Sequence, residues 1–208
     1  MAEKTYGTID TYDKYHRVYD KQVADFWENF PLRVVDKFYS SLKGRKVLDL
    51  GSGTGRGALI LRRLGLNVTC FDASSSMIAD TKKLGFRSVR GDFRRMKFPD
   101  ESFDGVWAYT SLIHVKTPEA RKVLWKVNRM LKPGGVLLIG LIRGNFEGDL
   151  VKKESMPGGR RFTVYYTDAR ARRLVRGLGF KLLHEKVYHY RHHSHVYLNY
   201  IYRKYERK

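Results

Sequence analysis

The chain has 208 residues, 42% of them hydrophobic and 13% aromatic, enough to bury a core and to exclude wholesale disorder. A single cysteine, Cys70, excludes an internal disulfide and a cysteine-rich zinc site. No apolar run approaches the roughly 18 residues that cross a bilayer, and the polar start lacks a secretory pattern, so the expected setting is cytoplasmic with no membrane partner. The formal charge is +20, and it is unevenly spread. Residues 1–42 carry 6 basic and 7 acidic side chains, whereas 43–208 carry 35 and 14. A surplus that large attracts polyanions and makes RNA a candidate partner.

In chain order, residues 10–41 predict two amphipathic helices split near Pro31. Tyr12, Tyr15, Tyr19, Val23, Phe26 and Trp27 recur at three- and four-residue steps, and Leu32, Val34, Val35 and Phe38 form the second apolar set. KVLDL (46–50) reads as a buried strand and 56–65 as a helix ending at Gly65. NVTCFD (67–72) is a strand, and 74–84 a helix ending at Gly85. SVRGD (88–92) and FDGVWAY (103–109) are strands. A helix over 118–131 opens on Pro118 and is closed by Lys132-Pro133-Gly134-Gly135, and VLLIGLI (136–142) follows as a strand. Alternation of this kind predicts an α/β, Rossmann-like three-layer sandwich around a parallel sheet with right-handed crossovers. Residues 143–166 are polar and Gly-rich, and are expected to form a lid or substrate loop. Thr167 is an N-cap candidate for a helix over 168–177. FKLLHEKVY and HVYLNYIYRKY have no helix between them, so they predict an antiparallel hairpin at the sheet edge. The chain thus reads as one domain: a helical cap (1–42), a core (43–142), the lid (143–166), and a helix with the terminal hairpin (167–208).

The central motif is Val47-Leu48-Asp49-Leu50-Gly51-Ser52-Gly53-Thr54-Gly55-Arg56-Gly57. A glycine turn between a buried strand and a helix lets backbone approach a ligand closely. The dinucleotide pattern G-x-G-x-x-G would need glycine where Arg56 stands. Asp49 would repel a pyrophosphate and attract an ammonium group. An adenosine with an amino-acid tail, S-adenosylmethionine, fits better than a dinucleotide. Asp72 ends the second strand, where a carboxylate accepts from ribose hydroxyls. Asp92 ends the third strand and is placed to accept from an adenine amino group. Met77 could pack on the adenine face or be ordinary core. Each aspartate alone could equally be a helix cap.

With these pieces in place, the chain resembles the class I S-adenosylmethionine-dependent methyltransferases. VLDLGSGTGRG, CFDAS, VRGDFRRMKFPDESFDGVWAYTSLIHV and LKPGGVLLIG occur in that family's order and spacing over residues 43–142. The resemblance implies a mostly parallel seven-stranded sheet and S-adenosyl-L-methionine as cofactor, with S-adenosyl-L-homocysteine as product. It implies a cofactor site at Asp49, Gly51, Ser52, Gly53, Asp72, Ala73, Met77, Gly91, Asp92, Phe93 and Tyr109. TYDKYHRVYD (11–20) looks like the family's Tyr-rich helix over the cofactor, with Tyr12, Tyr15 and Tyr19 near it.

The acceptor is less defined. Methylation at cytosine C5 needs a cysteine nucleophile, and Cys70 lies within a strand. Ala108-Tyr109-Thr110-Ser111 stands where exocyclic-amine methyltransferases of nucleic acids carry Asn/Asp-Pro-Pro-aromatic. His114 is a candidate general base or a residue that caps or packs at the following helix. Tyr109 is expected beside the cofactor's methionyl end. Arg160, Arg161, Tyr165 and Tyr166 are lid candidates for a flat or anionic substrate, and could equally anchor a solvated loop. His189, His192, His193 and His195 surround the last turn without acidic or cysteine partners, so no metal is expected. Arg170, Arg172, Arg173 and Arg176 on one helix could track phosphates. The reading is N or O methylation, with RNA slightly preferred over a small molecule. A non-catalytic binding protein is the remaining alternative.

Overall fold

A computed structural model describes residues 3–151, 156–190 and 195–206, with side chains from residue 7 onward. Helix α1 (Glu3–Glu28) kinks at Tyr15 (φ −113°, ψ 18°) and is separated by Pro31 from α2 (Leu32–Ser41). Then come β1 (Lys46–Leu50), α3 (Arg56–Arg63), β2 (Asn67–Asp72), α4 (Ser75–Lys83), β3 (Arg87–Arg90) and β4 (Phe103–Tyr109). A 3-10 turn (Leu112–His114) leads to α5 (Thr117–Met130) and β5 (Leu131–Ile142). The chain closes with β6 (Phe146–Val151), β7 (Arg160–Tyr165), α6 (Asp168–Arg173), β8 (Phe180–His189) and β9 (Val196–Lys204).

Seven strands form one sheet in the order β3-β2-β1-β4-β5-β9-β8. The first five are parallel, and β9 enters antiparallel between β5 and β8. Chain direction across the sheet reverses between β1 and β4, which opens a crevice at their carboxyl ends. The strands beside that crevice are apolar on both faces because helices cover both. Phe38 of α2 meets the Trp107 ring at 5.3 Å, and both side chains are fully buried. Each large apolar side chain so covered contributes about 1.5–3 kcal/mol. Among the described residues no helix is long and apolar enough to cross a membrane.

Three elements differ from the sequence reading. The segment 143–166, anticipated as an irregular lid, contains a two-stranded antiparallel sheet, with Phe146 paired to Tyr165 and Val151 to Arg160. The outer edge of β7 is satisfied by a helix: Phe162 N donates to Thr8 Oγ1 at 2.9 Å, and Arg160 N donates to Thr11 Oγ1 at 2.9 Å. Such tertiary pairing leaves no local signature. Lys132–Gly135, anticipated as a stop, lies inside β5 as an irregular stretch, with Gly134 at φ +73°. Helix α6 ends at Arg173, so Arg176 stands in the turn that follows rather than on the helix.

Candidate active site

The carboxyl ends of β1, β2 and β4 surround a cavity with about 930 Å³ of empty space, part of it open to solvent. The floor is the glycine loop. Gly51 (φ +78°) and Gly53 (φ +52°) have left-handed backbones. A Cβ on Gly51 would stand 2.3 Å from the Ser111 Cβ, so the loop after β1 and the loop after β4 touch only because this residue has no side chain. Gly51 N and Ser52 N both donate to the Phe71 carbonyl, at 2.7 and 3.1 Å.

Asp72 holds the loop from the side. Its carboxylate accepts from Gly53 N and from Ser74 N, both at 2.9 Å. Burial raises its pKa against those bonds. Asp49 is buried behind the loop, next to Gly57, and does not line the cavity. Its Oδ2 has no hydrogen-bond partner, and burial, with Asp72 adding to it, pushes its carboxyl up to about 8. Two carboxyl groups in low dielectric, both biased toward neutrality, make a place where a positive ligand is favoured. Ser111 Oγ and Tyr109 Oη are likewise buried without partners. Orphaned donors and acceptors at one crevice are the mark of a ligand that would complete them.

Ala73, Met77, Asp92 and Phe93 line the nucleoside-sized end of the cavity. Asp92 is already engaged: its Oδ1 accepts from Arg94 N at 2.8 Å and both its oxygens face the Arg94 guanidinium. Gly91 does not line the cavity; its bare face lies against the Phe71 ring, 2.8 Å from a would-be Cβ.

The roof is α1. Tyr12 and Tyr19 line the cavity and meet edge to face at 5.0 Å. Tyr15 faces away, donating its hydroxyl to the Pro157 carbonyl in a shallow groove shared with Arg160. His114 ties roof to wall. Its Nδ1 lies 2.8 Å from the Phe162 carbonyl, which can only accept, so Nδ1 carries the proton and Nε2 accepts from Tyr12 Oη at 2.9 Å. Burial lowers the imidazole pKa to about 4, with Arg161 acting in the same direction, so the ring is neutral around pH 7. It does not cap α5, whose N-cap is Lys116. Tyr109 lines the cavity and packs among Trp27, Phe30 and Trp107, with its ring edge to face on Phe30 at 4.8 Å. Tyr165 is half-buried against Phe146 and His195 outside the cavity, and Tyr166 is wholly buried in the core. His192 and His193 lie outside the described residues, and no metal-ready cluster occurs among those described.

Two carboxylates that the sequence reading passed over fasten the roof. Asp13 accepts from Ser74 Oγ (2.6 Å), Ser75 Oγ (3.0 Å) and Ser76 N (2.9 Å), crowning the start of α4. Asp20 receives both the Arg56 Nε (2.7 Å) and Nη2 (2.8 Å) and the Thr54 hydroxyl. Asp13 and Asp20 stand seven residues apart, on either side of the kink at Tyr15. That spacing was a readable signal, masked by the tyrosines beside them.

The strand order with its glycine loop at the reversal defines a Rossmann-like nucleoside-binding fold. Residues 48–139 match the family model described as a methyltransferase domain. The segment that holds the glycine loop, Asp72 and Asp92 is therefore similar to methyltransferase domains. The chain is 29% identical over 159 residues to the sterol 24-C-methyltransferase erg-4 of Neurospora crassa, covering 69% of this chain and 41% of that one. It is 27% identical over 141 residues to a sarcosine/dimethylglycine N-methyltransferase of Aphanothece halophytica, covering 64% and 50%. The chain thus spans half or less of these relatives. The fold superposes with TM-score 0.73 on the 1,6-didemethyltoxoflavin-N1-methyltransferase of Burkholderia thailandensis, solved with 1,6-didemethyltoxoflavin and S-adenosylhomocysteine. There the identity is 20%, over 95% of this chain and 86% of that one.

Proposed function

We propose that this protein transfers a methyl group from S-adenosylmethionine to a nitrogen or oxygen of a small-molecule acceptor held beneath α1. The observation that carries the reading is the roofed crevice itself, whose buried polar atoms lack partners on the protein side. Asp72 keeps lone pairs free for ribose hydroxyls, because each oxygen accepts only one of the two backbone bonds. Met77, Ala73 and Phe93 offer apolar surface to a base, and Asp92 an acceptor shared with Arg94. Gly51, Ser52 and Gly53, with Tyr109 and Ser111, face the amino-acid end. Asp49, next to the loop, favours the positive charge of that end.

The cofactor brings a methyl already activated on a sulfonium. The chain's own task is alignment and exclusion of water. Tyr12 and His114 form the wall where an acceptor would meet the roof. The neutral imidazole can take a proton only through Nε2, which now holds the Tyr12 hydroxyl. An acceptor that enters this bond places its own proton on the same nitrogen.

The RNA reading rests on charge, and the placement of the arginines supports it less than the small-molecule reading. Arg170 is paired with Glu147 at 2.8 Å and Arg172 with Glu185 at 2.6 Å, while Arg161 turns inward to Tyr12. Radiolabelled methyl transfer to separated RNA, protein and small-metabolite fractions tests this, with label expected in the metabolites. Label in RNA would reverse the choice of acceptor. Binding of S-adenosylmethionine without transfer to any fraction would favour the non-catalytic alternative, and no binding would remove the cofactor assignment.

A further inference from the structure

Six arginines of this protein each face a carboxylate: Arg56 on Asp20, Arg94 on Asp92, Arg129 on Asp100, Arg143 on Asp168, Arg170 on Glu147 and Arg172 on Glu185. Arg172 is 60% exposed and Arg129 54%, so several of these pairs form where water would have served as well. Arg161 is the opposite case. It is half-buried on β7; desolvation acts to lower the pKa of its guanidinium, but Tyr12, Tyr19 and Tyr165 together hold it above the ordinary value. No described carboxylate lies within ion-pairing distance of it. Its one hydrogen bond is a long one, Nη1 to Tyr12 Oη at 3.4 Å, and its guanidinium carbon stands 5.7 Å from the Tyr12 ring centre.

A guanidinium has five N–H donors, and withdrawing it from water without an anion is costly. The groups around it do not supply one. Tyr12, Tyr19 and Tyr165 are its charge neighbours, and burial raises the pKa of all three, so they stay neutral phenols. The His114 ring beside them is neutral and has committed both nitrogens. The result is an uncompensated positive charge one side chain behind the Tyr12–His114 wall. Two carboxylates on the roof are spent elsewhere, Asp13 on α4 and Asp20 on Arg56.

We propose that the acceptor of this methyltransferase is a carboxylate-bearing small molecule, and that Arg161 receives its carboxylate. The proposal rests on the reading of the cavity as a methyl-transfer site and adds the substrate class. The planar fork of arginine matches a carboxylate with two parallel bonds. Arg161 does not itself line the cavity and is reached from it past Tyr12, which admits a small anion rather than a polymer's phosphates. Arg161 is held by α1 and the hairpin rather than by the glycine loop, which favours the acceptor's carboxylate over the cofactor's own.

The test uses the full chain loaded with S-adenosylhomocysteine, titrated calorimetrically at low ionic strength. Benzoate and acetate are the carboxylate probes, phenol and benzamide the neutral ones, and inorganic phosphate the competing anion. The expected result is binding of a carboxylate but not of its neutral counterpart. Arg161→Gln should weaken that binding about tenfold or more, and Arg161→Lys by less, since lysine keeps the charge and loses the fork. The affinity for S-adenosylhomocysteine should stay within about twofold in both variants, which also reports that they fold. The proposal is overturned if neither carboxylate binds, if phenol binds as well as benzoate, or if phosphate outcompetes both carboxylates. It is equally overturned if Arg161→Gln leaves carboxylate binding unchanged or loses S-adenosylhomocysteine instead. Failure of the wild type to bind S-adenosylhomocysteine would instead remove the methyl-transfer reading on which the proposal stands.

Discussion

The floor and the roof of the cavity are held by different forces. The floor is backbone: a glycine loop with left-handed residues, bonded to the Phe71 carbonyl and to the Asp72 carboxylate, on strands whose central side chains are buried. The roof is one helix with two kinds of attachment. Beyond the kink at Tyr15, its carboxyl-terminal half is anchored by aromatic packing, with Trp27 stacked on Phe30 at 4.9 Å and Phe26 on Tyr197 at 4.8 Å. Its amino-terminal half is fastened by polar bonds from Thr8, Thr11 and Asp13. Thr8 and Thr11 are buried, and the bonds of Asp13 are partly exposed. The floor is thus held by backbone and core packing, the front of the roof by side-chain hydrogen bonds.

The largest effect is expected at the floor. Gly51→Ala forces a Cβ into Ser111 on a backbone at φ +78°. A loss of about 3 kcal/mol or more is expected in urea denaturation, together with loss of cofactor binding. Asp72→Ala should leave the chain folded and weaken S-adenosylmethionine binding by about 10- to 100-fold in calorimetry. Unchanged affinity would show that the ribose is held elsewhere.

A pH series sharpens the same point. In the unliganded protein Asp49 holds its proton to about 8, far above its unfolded value, so the folded state binds the extra proton and stability falls as pH rises toward 8. A cationic ligand reverses the preference. S-adenosylmethionine should bind more tightly from pH 6 to 8, by up to about tenfold per unit, with proton release visible in buffers of different ionisation enthalpy.

At the roof the effects are smaller. Asp13→Ala removes three donors' partner and is expected to cost about 1–2 kcal/mol of local closure. Amide exchange should rise over residues 3–14 while β1 and β4 keep their protection. Equal loss in the strands would show that roof and floor are one cooperative unit. Tyr15→Phe loses only an exposed bond to Pro157, so about 0.5 kcal/mol or less and no change in cofactor affinity are expected.

The contrast also explains what could be read in advance. The floor is local in sequence: strand, glycine turn and helix follow one another from Lys46 to Arg63, and each aspartate stands at or just past a strand end. Periodicity and turn chemistry therefore put Gly51 and Gly53 in the turn after β1 and Asp72 at the end of β2, as the structure has them. The roof is non-local. Tyr12 and Tyr19 face the cavity and Tyr15 does not, because the kink turns the middle residue toward the hairpin loop. The β6–β7 sheet escaped notice because its outer edge is satisfied by threonines some 150 residues away.

The amino-acid sequence by itself determined the sheet, its parallel core and the glycine loop with its acidic partners, because periodicity and backbone chirality act over a few residues at a time. Tertiary structure alone decided the rest. It turned Asp49 away from the cavity and gave Asp92 to Arg94. It locked His114 between Phe162 and Tyr12, and left Arg161 without a counter-charge. Those outcomes depend on which side chains meet across the fold and on how much water they lose when they do, and neither quantity is written in any short stretch of the chain.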